Sequence, residues 1–99
     1  MKIRLSNNGI RIRLSQPDLD SIKHGEPLAI NLPIGTEDLV ITFKSGENPI
    51  DHAPQQLTIA LPESTLLGFV ESRETSLTYS LDFPNNRTLN VFVEKDYLG

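Results

Sequence analysis

Apolar and polar residues alternate with a period of two along much of the chain, and this alternation predicts β-strands. The first two alternating stretches, 2–5 and 10–14, flank Ser6-Asn7-Asn8-Gly9, whose Asn and Gly residues are typical of a tight hairpin turn. The predicted hairpin therefore has an apolar inner face and a basic outer face. The inner face consists of Ile3, Leu5, Ile10, Ile12 and Leu14, and the outer face of Lys2, Arg4, Arg11 and Arg13.

Two short helices are predicted to interrupt the strands. Ser15 is the expected N-cap of the first helix, because its hydroxyl can accept a hydrogen bond from the amide of Asp18 and Pro17 is tolerated in a first turn. Gly25 is expected to end this helix. Pro62 is expected to open the second helix, whose apolar stripe consists of Leu66, Phe69 and Val70.

The remaining alternating stretches predict strands over 27–32, 38–44, 55–61, 76–83 and 89–94. Residues 45–54 contain Gly46, Asn48, Pro49 and Pro54 and are interpreted as the connection at the midpoint of the chain. The predicted element order is therefore β-β-α-β-β-β-α-β-β.

Short connections between alternating strands favour an α+β fold with a largely antiparallel sheet. We expect one domain over residues 1–99, with two pseudo-equivalent βαββ halves at about 10–45 and 57–95. These halves would form one curved sheet or a partly open barrel that carries both short helices. A ferredoxin-like arrangement with added strands is the alternative interpretation.

Composition narrows the classes of function. The 99 residues carry a net charge of −4, which disfavours nucleic acid and anionic membranes as partners. The chain has no cysteine, which excludes a disulfide, a thiol nucleophile and a thiolate metal site. No apolar run has the length of a membrane span or the pattern of a signal peptide, so a cytoplasmic location is expected.

The basic outer face of the first hairpin is the leading candidate for a ligand or partner site. Its arginines could hold a carboxylate or a phosphate. The alternative is a solvated face that is partly neutralised by cross-strand acids such as Glu94 or Asp96. The candidate binding residues are Arg4, Arg11, Arg13, Glu94 and Lys95.

Candidate catalytic and metal-binding residues are sparse. Glu47, Asp51 and His52 could form a metal or acid–base site, but their spacing matches no established ligand motif. Neither a GxSxG sequence nor a glycine-rich phosphate loop is present. No catalytic residue, no metal ligand and no cofactor is therefore assigned from the sequence.

Both ends of the chain resemble those of a known family of small uncharacterised bacterial proteins. The stretches that carry the resemblance are Met1-Lys2-Ile3-Arg4-Leu5, Ile10-Arg11-Ile12-Arg13-Leu14-Ser15-Gln16 and Val93-Glu94-Lys95-Asp96-Tyr97. The family opens with a basic strand pair that runs into a helix and closes with a Val-Glu-Lys-Asp-aromatic signature. Members of the family carry a Cys shortly after the closing aromatic residue and often a Trp in the second helix. This chain has neither residue, so no thiol role transfers from the resemblance. The resemblance implies a bacterial, cytoplasmic, single-domain protein without an assigned reaction.

The sequence thus favours a non-enzymatic binding or protein-interaction module, with a homodimer or another protein as the partner. One alternative is a small metal-dependent enzyme or metal-binding protein that uses His52. Another is an anion- or RNA-binding domain that uses the first hairpin. Tyr97 is expected to dock on the sheet after the last strand.

Overall fold

A computed structural model of the protein describes residues 1–96. Eight strands and two helices follow one another along this part of the chain. In chain order they are β1 (Lys2–Ser6), β2 (Gly9–Leu14), α1 (Gln16–Lys23), β3 (Leu28–Ile34), β4 (Glu37–Ser45), β5 (Ile50–Ala53), β6 (Gln56–Leu61), α2 (Glu63–Glu71), β7 (Ser76–Phe83) and β8 (Arg87–Lys95).

The strands form two four-stranded sheets of the same design. The terminal sheet has the order β1-β2-β8-β7, and the central sheet has the order β3-β4-β6-β5. Each sheet joins two antiparallel hairpins through one parallel pair of strands, β2 with β8 or β4 with β6. Each helix connects one sheet to the other, since α1 runs from β2 to β3 and α2 runs from β6 to β7. The two sheets are therefore interleaved along the chain.

The two central parallel strand pairs, β2 with β8 and β4 with β6, contribute fully buried side chains to the core. Ile12 lies opposite Val93 in the terminal sheet, and Ile59 lies opposite Phe43 in the central sheet. All four side chains are fully buried. Leu66 of α2 belongs to the same apolar cluster, which takes residues from both sheets and both helices. Alternation in the strands and the apolar helix stripes thus converge on a single core.

Helix α1 begins at a capping box, as the sequence predicted in part. The Ser15 hydroxyl accepts a hydrogen bond from the amide of Asp18, whose carboxylate in turn accepts from the amide of Ser15. The Asp18 carboxylate also lies 2.7 Å from the α-amino group of Met1. Burial acts to raise the pKa of Asp18, but the hydrogen bonds and the attraction of the ammonium group outweigh it, so the pKa lies below its usual value.

The α+β class and the order of the elements are confirmed. Four strand pairings are antiparallel and two are parallel, so the sheets are mixed but largely antiparallel. Among residues 1–96 the strands close no barrel and occupy two sheets, where we expected one curved sheet or a partly open barrel; the ferredoxin-like alternative differs from this arrangement as well. The structure adds strand β5 inside the predicted connection. Neither helix, within the same residues, is long and apolar enough to cross a bilayer.

One predicted core residue is wrong. Leu5 was expected on a buried inner face, and its side chain is 64% exposed. Leu5 lies next to the end of β1, which is an edge strand of the terminal sheet. The division of the chain into two halves within one domain stays a prediction, as does the docking of Tyr97, which lies outside the described residues.

Candidate functional site

Four cations lie together on the first hairpin, as the alternation predicted. Lys2 pairs with Arg13 across β1 and β2, and Arg4 pairs with Arg11, so that like charges are direct cross-strand neighbours. With Ile3 these residues line a shallow cleft with a volume of about 220 Å³, which we call the basic cleft. Like charges placed directly opposite each other destabilise a sheet, so this face favours counter-charges.

Two of the four cations have an acidic partner within the protein. Arg11 forms an ion pair with Glu94, and Lys2 lies 3.6 Å from Asp96. The predicted cross-strand neutralisation is therefore present for these two. Arg4 and Arg13 are exposed and form no ion pair with any of the residues that the structure describes. Arg13 lies opposite Glu94 in the pairing of β2 with β8, but the ion pair of that carboxylate is with Arg11, so Arg4 and Arg13 are the two cations of the cleft without an ion pair.

Phe92 of β8 is a member of this face that the sequence interpretation missed. It lies opposite Arg11 in the parallel pairing of β2 with β8, and the Arg11 guanidinium stands 4.9 Å from the centre of its ring. The contact is a cation–π interaction. Alternation along β8 could have identified Phe92, because the inward Val91 and Val93 flank it. Since Arg11 covers the ring, Phe92 is not a free stacking surface.

Lys95 does not belong to this face. Successive side chains of a strand point to opposite sides, so Glu94 faces the arginines while Lys95 points to the other side of the sheet. Lys95 is only 8% exposed. Its ammonium group donates a hydrogen bond of 2.7 Å to the carbonyl of Ser72, the C-cap of α2, and stands 4.7 Å from the centre of the Phe69 ring.

These contacts give Lys95 a structural role. The ammonium group satisfies a carbonyl at the end of α2, where a cation is also favoured by the helix dipole. Removal from water lowers the pKa of Lys95, with repulsion from Lys23 in the same direction and attraction by Glu74 against it. Of the five candidate binding residues, the structure brings together Arg4, Arg11, Arg13 and Glu94 and separates Lys95 from them.

The alternative acid–base or metal site does not assemble. Asp51 and His52 are consecutive residues of β5 and therefore point to opposite faces. Asp51 lines one surface depression with Glu47, and His52 lines a different groove. Within residues 1–96, no three His, Cys, Asp or Glu side chains are grouped closely enough to hold a metal ion together.

Among known proteins, the chain matches a family to which no function is assigned. A family model described as a family of unknown function (DUF7009) matches residues 1–98. No curated protein and no solved structure matches the chain. The resemblance that the two chain ends carry is thus supported at the level of a family of unknown function.

Proposed function

Because the chain belongs to the family of unknown function DUF7009, its membership brings no reaction with it, and we propose from the structure that it is a non-enzymatic protein-interaction module. The basic cleft is its contact face, and the partner is a protein segment that carries carboxylates. The observation that supports this function is the presence of two exposed arginines on one strand pair that form no ion pair with the residues that the structure describes.

The charges of the hairpin support a carboxylate as the bound group. Arg4 and Arg13 each lie directly opposite another cation, so their positive charges repel those of their neighbours. A bound carboxylate relieves that repulsion and accepts two parallel hydrogen bonds from a guanidinium group. Arg11 and Lys2 are already held by Glu94 and Asp96, which leaves Arg4 and Arg13 as the residues that would contact the partner.

A protein partner fits this face better than RNA does. Single-stranded RNA is bound through bases that stack on open aromatic rings, and the Phe92 ring lies beneath Arg11. The proposal places the protein in the bacterial cytoplasm, which is the location that the sequence led us to expect.

Fluorescence anisotropy tests the proposal with a fluorescein-labelled peptide of alternating Glu and Ser residues. We expect saturable binding at about 50 mM salt that weakens at about 200 mM salt, because exposed charge pairs are screened. The double variant Arg4→Gln/Arg13→Gln should bind about tenfold more weakly, since two exposed pairs at about 0.7 kcal/mol each contribute about 1.4 kcal/mol.

The matched control is Arg73→Gln/Lys44→Gln, which removes the same charge from exposed cations outside the cleft. This control should bind like the wild type. Equal losses in both double variants, or no binding at about 50 mM salt, would contradict a specific contact face. A labelled oligo(U) strand that bound more tightly than the peptide would replace the protein partner with RNA.

Light scattering tests whether the partner that occupies the basic cleft is a second copy of the chain. A dimer that dissociates in Arg4→Gln/Arg13→Gln, but not in the control, would show that the cleft binds a carboxylate of another protomer. A monomer that binds the peptide fits an acidic segment of a different protein.

A further inference from the structure

A second concave surface lies between an edge of the central sheet and the end of a hairpin of the terminal sheet. It is a groove with a volume of about 520 Å³. His52 of the edge strand β5 lines one side, and Phe83 and Arg87, the closing pair of the β7–β8 hairpin, line the other. We call it the hairpin groove. Its volume falls within the range of small-molecule sites.

The groove combines apolar surface with cationic groups. Phe83 is 38% exposed, which is unusual for an aromatic residue on the inner face of a strand. Ile50 and Leu89 add aliphatic surface and pack against the core. Arg87 forms no ion pair with the residues that the structure describes, and no acidic side chain lines the groove among them. The groove therefore presents an apolar floor beside an unneutralised guanidinium group and an imidazole.

The corresponding corner of the other sheet shows that this charge is not a general consequence of the fold. The closing pair of the β3–β4 hairpin is Ile34 and Glu37, where the β7–β8 hairpin has Phe83 and Arg87. On the edge strands, Ile3 lies opposite Ile12 of β2 in the same way as Ile50 lies opposite Ile59 of β6. Two residues further along each edge strand, Leu5 of β1 therefore corresponds to His52 of β5. One corner is thus apolar and acidic, while the other is aromatic and basic.

We propose that the hairpin groove binds a small organic molecule with a carboxylate at one end and an apolar body. The guanidinium group of Arg87 receives the carboxylate, since it offers a planar pair of N–H donors, and the imidazole of His52 supplies a further donor. The apolar body lies against Phe83, Ile50 and Leu89 and gains the burial of its surface. This site is separate from the basic cleft and does not depend on the function proposed for that cleft.

Amide NMR with ¹⁵N-labelled protein tests the site, and 4-phenylbutyrate is the probe. The neutral analogue 4-phenylbutanamide has the same apolar body without the charge. We expect 4-phenylbutyrate to cause saturable shifts in residues 50–53 and 83–89, and the amide to bind about tenfold more weakly. Arg87→Gln should weaken 4-phenylbutyrate binding to a similar degree, and Arg87→Glu, which copies the charge of the other corner, should abolish it.

Arg73→Gln is the matched control, since it removes one exposed arginine that lines neither the hairpin groove nor the basic cleft and should leave binding at the groove unchanged. Two results would overturn the proposal. The first is equal affinity for the acid and the amide, which would remove any role for charge. The second is a pattern of shifts confined to 2–13, which would assign the acid to the basic cleft. If the Arg87 variants do not fold, the affinities of His52→Gln for 4-phenylbutyrate and 4-phenylbutanamide are measured instead. We then expect weaker binding of the acid and unchanged binding of the amide.

Discussion

Substitution of Lys95 tests whether this residue stabilises the fold or contacts a partner. In Lys95→Ala the carbonyl of Ser72 loses its donor and the ring of Phe69 loses its cation. A hydrogen bond from a charged group contributes about 1.5–3 kcal/mol, and a desolvated cation–π contact up to about 2 kcal/mol. The cost of removing the ammonium group from water offsets part of this gain. We therefore expect the free energy of unfolding to fall by about 2–3 kcal/mol.

Lys95→Met is the matched variant, because it keeps an unbranched apolar stem of similar length. It loses the hydrogen bond and the charge but no longer buries an ammonium group, so we expect a smaller loss of about 1 kcal/mol. Urea unfolding followed by far-ultraviolet circular dichroism measures both values. With a denaturant slope of about 1–2 kcal/mol/M, Lys95→Ala should lower the unfolding midpoint by about 1–3 M.

The pH dependence of the difference between wild type and Lys95→Met tests the cause. Burial lowers the pKa of Lys95, so between that pKa and the ordinary value of 10.5 the unfolded chain holds more protons than the folded one. The free energy of unfolding must then rise with pH in this window, because the buried amine no longer carries a charge. The stability of the wild type relative to Lys95→Met should therefore increase as the pH rises towards 10.5. A stability of Lys95→Ala within about 0.5 kcal/mol of the wild type would refute the structural role.

Three further outcomes test the local structure by the same unfolding assay. Ser15→Ala removes the capping box of α1 and should cost about 1 kcal/mol, whereas Ser64→Ala, in the exposed first turn of α2, should change little. Gly9→Ala would place a Cβ atom 2.0 Å from a backbone carbonyl of β8 at a φ of +144° and should cost at least about 3 kcal/mol; Gly68→Ala meets no atom within 4 Å inside a helix and should gain about 0.5–1 kcal/mol. Asp18→Asn should flatten the acid limb of the stability curve, because the lowered pKa of Asp18 gives the wild type stability that is lost as the pH falls below about 4.

Local patterns predicted the elements well, because their causes are local. The alternation at Ile10, Ile12 and Leu14 marks a buried face, and all three side chains are buried. The cap at Ser15 depends on the amide three residues later, which is a contact within one turn. Strand β5 was missed because Pro49 and Pro54 flank only four strand residues, two of which are polar.

The arrangement of the sheets was beyond the reach of these patterns. A period of two specifies which face of a strand is apolar but not which strand lies beside it. The parallel pair of β2 and β8 joins the two ends of the chain, and Gly9 lies opposite Asn90 in this pair. A side chain at position 9 would collide with the backbone of Asn90, so this position requires glycine. Such a contact has no signal in the neighbouring sequence.

The candidate sites show the same division between what is local and what is not. Alternation could already have separated Lys95 from Glu94, since Lys95 continues the apolar face of Val91 and Val93. It could not have joined His52 to Arg87, because these residues belong to different sheets and only the tertiary structure brings them to one groove. Leu5 is exposed at the position of the other sheet that corresponds to His52. The ends of the inner faces are therefore where this fold presents side chains whose sequence pattern marks them as core.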